Sequence, residues 1–160
     1  MSSSTMTPID IEQAIVERLK ERLVGTEAAP LPQKLVKFVY DTRQYAAVEE
    51  ESQLVPSLAV IYNGYRAAEV VGQGAVQAVE LDYLVVVVTR SSMQTLRSKG
   101  AKASASEIFD ATVKALTGWK PGQGTRRLML GDAPGAGYSD AGFTYIPIAF
   151  NTRITYTTQP

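Results

Sequence analysis

Apolar residues recur every four positions at Ile11, Ile15, Leu19 and Leu23, with Glu12, Glu17, Arg18, Lys20, Glu21 and Arg22 between them. That spacing lays one apolar stripe along one face of a helix. Thr7 stands where a cap belongs, Pro8 suits the first helical position, and Asp10 is placed as the acid of a capping box. Gly25 is expected to end the helix as a left-handed cap, so the pattern predicts a helix over 8–24. A second helical stripe, Ile108, Phe109, Thr112, Val113 and Leu116, is expected to start near Ser104 or Ser106 and to stop at Gly118.

Between and after these helices the period changes to that of strands. Residues 34–40 (KLVKFVY) carry the aromatic and β-branched residues of a strand, and 41–54 fit a short helix or a loop equally. Residues 56–62 predict a strand that Asn63-Gly64 turns or kinks, with 65–71 continuing past a bulge. Gly72-Gln73-Gly74 reads as a hairpin tip and 76–90 as the return strand. Leu84 to Val88 is apolar on both faces, which places that strand mid-sheet. Residues 126–130 predict a short strand. In the strand predicted over 143–157, even positions from Ile146 to Ile154 are mostly apolar, while odd positions include Asn151, Arg153 and Thr155. One face is therefore buried and the other is wet or at an interface. Pro147 suggests an edge or a bulge.

The expected fold is α+β: a mostly antiparallel sheet with two main helices packed on one face, in a single domain over 1–160. Residues 1–7 are expected to be flexible, and 91–103 and 131–142 to be mobile loops.

Composition then removes whole classes of chemistry. The chain has no histidine and no cysteine, which excludes the usual nucleophile–base pairs, thiolate metal sites and disulfides. Sixteen basic residues balance 16 acidic ones, so no basic excess points to nucleic acid. No apolar run approaches the roughly 20 residues of a membrane-spanning helix. No catalytic, cofactor-binding or metal-binding residues are assigned, and no cofactor is expected. Gly72-Gln73-Gly74 precedes a strand and lacks the third glycine of a dinucleotide motif. Gly122-Gln123-Gly124-Thr125 lacks a phosphate-loop lysine. Glu49-Glu50-Glu51 reads as a solvated acidic face. Trp119, after the helix-stopping Gly118, is expected to pack back on its helix, with an interface anchor as the alternative. Arg126 and Arg127 open a strand and so point to opposite faces.

The helix IEQAIVERLKERL, the strands VPSLAVIYNGY and LDYLVVVVTR, and above all Ala115-Leu116-Thr117-Gly118-Trp119-Lys120-Pro121 after an amphipathic helix make the chain similar to a known family. It resembles the tail terminator, or tail completion, proteins of contractile-tailed bacteriophages, the Mu-like group in particular, over roughly 9–157. The resemblance implies a homo-oligomeric ring, commonly of six copies, at the head-proximal end of the virion tail, assembled in the host cytoplasm. Such a ring caps the tail tube and sheath, stops their polymerisation and offers a surface to the neck or head–tail connector. Another neck or head–tail joining component is the alternative, and a small enzyme or ligand-binding module the more distant one. Arg126, Arg127, Trp119, Tyr65, Arg66, Arg97, Lys99 and Arg153 are the expected contact residues to a sister subunit or the tail tube. Val85 and Val87, or the odd face of 143–157, are expected to meet a neighbour, with Arg126, Arg127 and Glu69 as rim charges.

Overall fold

The computed structural model describes residues 6–28, 30–31, 34–90 and 100–157. Helix α1 (Pro8–Leu19) opens with the expected capping box. The Thr7 side chain accepts from Asp10 N at 3.2 Å, and Asp10 Oδ2 accepts from Thr7 N at 2.9 Å. These bonds hold the Asp10 carboxyl below its ordinary value. A wider π-type turn, Lys20–Val24, extends α1 to the predicted end. Gly25 has φ +88° but an extended ψ of 163°, so it is not the left-handed cap expected. Its need for glycine is also steric, because an added Cβ would stand 2.8 Å from Leu31 N. Thr7→Ala removes the side-chain cap alone and is expected to cost about 1 kcal/mol, read as a shifted urea midpoint with an unchanged slope.

Strand β1 is Phe38–Tyr40, shorter than the predicted 34–40. The helical option for the next segment holds in part: α2 (Thr42–Ala47), with its own Asp41/Gln44 capping box, precedes a 3-10 turn at Glu50–Ser52. Strands β2 (Ser57–Val71) and β3 (Val76–Arg90) form the long hairpin. Helix α3 spans Gly100–Leu116, so it begins ahead of the Ser104 or Ser106 start and takes in residues 100–103, expected to be loop. Strand β4 is only Met129–Leu130: Arg126 N bonds Arg153 O at 3.0 Å, but Leu128 turns its N–H to Trp119 O at 2.9 Å and its carbonyl to Gly118 N at 2.8 Å, away from the sheet. Strand β5 (Gly137–Tyr138) pairs inside the segment expected to be a loop, and β6 is Phe143–Thr157.

The sheet order is β1-β2-β3-β6-β4, with β5 also on β6. All pairings are antiparallel except β1 with β2, which is parallel. Strand β3 is central, as its two-sided apolar stretch predicts. Pro147 faces Val86 of β3 and lies between the residues of β6 that pair with β4 and with β5. Its missing N–H therefore falls at a local edge.

Cross-strand partners share a face. Leu58, Val87 and Ile146 form one row, Val60, Val85 and Ile148 the next, then Tyr62, Tyr83 and Phe150. These rows meet α1 and α3 in the main core with Ile11, Ile15, Leu19, Ile108 and Leu116. The two helices thus share one face, as expected. Arg18 Nε donates to Ala115 O at 3.0 Å and Tyr83 Oη to Pro8 O at 2.7 Å, which fixes the helix layer. Val85 and Val87 are fully buried beneath it, so they are not the neighbour-facing residues the sequence suggested. The opposite face is also covered at one end. Tyr40, Ala59, Val86, Val88 and Phe143 form a second small core under α2, Val48, Val55 and Tyr145.

Candidate assembly surface

What the described residues leave uncovered is the far limb of the β2–β3 hairpin. Strand β1 pairs with β2 only up to Ala59. Thr42 Oγ1 then stands in for a neighbouring strand, accepting from Tyr62 N at 2.9 Å. Beyond that point β2 has no strand on its outer side among the described residues. Tyr65 is 68% exposed, Val70 55%, Val71 61%, and Tyr156 of β6 beside the tip 43%. The register slips between Tyr62 and Tyr65, at Gly64 (φ +96°), and again between Ala67 and Val70. Gln77 Nε2 donates to Ala68 O at 3.0 Å and so ties off the second bulge. Bulges twist an edge away from strand addition, so this limb offers side chains rather than a flat backbone edge.

The adjoining outer face carries an ionic cluster centred on Glu80, whose side chain is 15% exposed. Arg126 contacts its carboxylate at 3.0 and 3.2 Å and Arg153 at 2.9 and 3.1 Å. Arg66 reaches it at 4.0 Å while bonding Asp82 at 2.9 and 3.0 Å. Asn151 accepts from Arg126 at 2.6 Å, and Glu69 lies 3.6 Å from Arg153. Burial alone would raise the Glu80 carboxyl; the bonds from Arg153 and Arg126 outweigh it and hold the carboxyl below its ordinary value. An open depression of roughly 320 Å³ borders the cluster, lined by Asn63, Arg66, Asp82, Asp132 and Asn151 over Leu84 and Ala149.

Of the contact residues expected from sequence, Arg66, Arg126 and Arg153 come together about Glu80 beside this limb, while Tyr65 lies on the limb's other face, opposite Leu81. Arg126 and Arg127 do point apart: Arg127 donates to Gly118 O at 2.8 Å and is exposed. Trp119 is half-buried against the main core, with the Arg18 guanidinium 5.3 Å from its ring centre. Arg97 and Lys99 lie outside the described residues. The odd face of β6 is divided. Phe143 is buried by its own chain, while Arg153 sits in the ionic cluster. The acidic run is not simply solvated either, since Glu50 accepts from the Tyr145 hydroxyl and Glu51 pairs with Arg90 at 3.1 Å. Glu80 and Asp82 escaped the sequence reading. Their signal was present: two carboxylates alternate into an otherwise apolar central strand, where an unpaired charge would be costly.

The fold thus defines an α+β subunit with helices on one face of its sheet, a partly covered opposite face and a projecting hairpin limb. A model of the family described as "Phage tail terminator protein" matches residues 5–160. The chain belongs to the phage tail terminator family and is a structural protein of a phage-type virion tail. Among solved structures, a chain in the "Virion of native gene transfer agent (GTA) particle" shares this fold. Its TM-score is 0.55 at 19% identity, over 91% of this chain and 94% of that one. No curated protein matches the chain.

Proposed function

We propose that this subunit closes into a homo-oligomeric ring, commonly of six copies, at the head-proximal end of a contractile, Mu-like tail. The ring ends the tube and sheath, halts their growth and presents a surface to the neck connector. It works by contact rather than by catalysis. The observation that carries this reading is the hairpin limb, with Tyr65, Val70 and Val71 exposed on a bulged strand whose outer side has no partner strand among the described residues. A ring of identical subunits needs two different complementary patches. The limb supplies one, and Arg66, Arg126 and Arg153 beside it supply the charges that set register. Arg127, Trp119, Arg97 and Lys99 are assigned to the same set of contacts.

Native mass spectrometry and negative-stain images of the purified chain, alone and with tail tubes, test this. Rings of about six subunits and capped tube ends are expected. Tyr65→Glu combined with Val70→Glu leaves the exposed limb folded and is expected to raise the concentration needed for rings by roughly 100-fold. That figure takes about 1.5 kcal/mol for each apolar side chain no longer buried between copies. A chain that stays monomeric and ignores tube ends sinks the proposal.

A further inference from the structure

The segment from Glu49 to Leu54 crosses the end of the sheet over the second small core. Val48 and Val55 at its two ends pack on that core. Between them every residue is exposed except Gln53, so the one group the crossing buries is an amide. Gln53 Nε2 is satisfied, donating to Tyr145 Oη at 3.1 Å and to Glu50 O at 3.2 Å. Its Oε1 is buried with no partner, and so is Oγ of Ser57, which is itself fully buried. Ser57 belongs to the same covered face, since it pairs with Val88, which pairs in turn with Tyr145. The remaining ties are polar. Glu50 bonds the Tyr145 hydroxyl, Leu54 N donates to Tyr40 Oη at 3.0 Å, and the exposed Glu51 and Arg90 pair at 3.1 Å.

A cover held by apolar burial is lost only with the core beneath it. A cover that contributes little apolar burial, and strands buried polar atoms, opens at a lower free energy than the rest of the molecule. We propose that residues 49–54 are a detachable strap. It swings on Val48 and Val55, opens while the helix layer stays folded, and admits water to Ser57 and to the Tyr145 edge of the second small core. This stands apart from the ring reading, because it concerns one subunit by itself.

The chain has no cysteine, so single thiols report cleanly. Ser57→Cys is nearly isosteric and loses no hydrogen bond; Val87→Cys, fully buried under the helices on the opposite face, serves as the reference for global unfolding. Under native conditions Cys at 57 is expected to react with a disulfide reagent at least about tenfold faster than Cys at 87. Gln53→Leu removes the orphaned oxygen and puts an apolar side chain over the small core. It also removes the two Nε2 bonds, but Glu50 O keeps Gln53 N at 3.2 Å and the Tyr145 hydroxyl keeps Glu50. The reaction at 57 is therefore expected to slow by about threefold or more and that at 87 to be no faster. The strap is refuted if the thiol at 57 reacts less than about tenfold faster than the one at 87, or if Gln53→Leu fails to slow it.

Discussion

Phe150→Ala is expected to lower the unfolding free energy by about 3–5 kcal/mol. Phe150 is 1% exposed in the main core. It lies between Tyr83 of β3 and Leu130 of β4 on the helix face. Truncation removes the transfer energy of the ring and leaves a cavity, and neighbours on both sides are held by their own pairings. For a chain of this length the loss corresponds to a melting midpoint lower by roughly 10–15 °C. Calorimetry or urea unfolding of the isolated subunit measures it. A loss below about 1 kcal/mol would mean the site collapses around the gap and the assignment of a tight core there is wrong.

Glu80→Ala is expected to cost about 2–3 kcal/mol, more than a surface ion pair would, because Glu80 is the shared acceptor for the guanidiniums of Arg126 and Arg153. Removing it leaves two half-buried cations side by side, Arg153 on β6 and Arg126 in the neighbouring segment whose N–H bonds Arg153 O. The pH dependence follows from the same geometry. The folded carboxyl titrates below its ordinary 4.5, so the unfolded chain binds the proton first as pH falls. The stabilisation is complete above about pH 4.5 and fades as pH drops through the lower, folded value. Acid unfolding of the wild type against Glu80→Gln should therefore converge at low pH and separate above it. A constant difference across that range would show that Glu80 contributes through packing, not charge.

Much of the candidate surface was legible because each arginine was visible as an isolated polar feature in strand context. Tyr65, Arg66 and Arg153 are expected contacts once the family resemblance implies a ring. The arginines' common partner was not legible, since Glu80 joins residues 14, 46 and 73 positions away in the chain and no local pattern encodes that meeting. The same gap misplaced Val85 and Val87. An apolar strand centre shows that both sides are covered, but not whether the cover is the chain's own helices or another subunit. The segment 100–103 joined α3 although its residues were expected in a loop.

By itself the amino-acid order determined whatever depends on the backbone repeat: the α1 stripe with its Thr7/Asp10 cap, the alternation of β6, the central place of β3, the bulge at Asn63-Gly64, and the absence of histidine and cysteine chemistry. These are set by neighbours within a few residues, where the geometry of a helix turn or a pleat decides. Tertiary structure alone decided that β1 runs parallel to β2, that α2 and the 49–54 crossing close one end of the second face, and that three arginines gather about Glu80. Those outcomes rest on contacts between distant segments, where burial and charge pairing are settled only once the sheet has assembled.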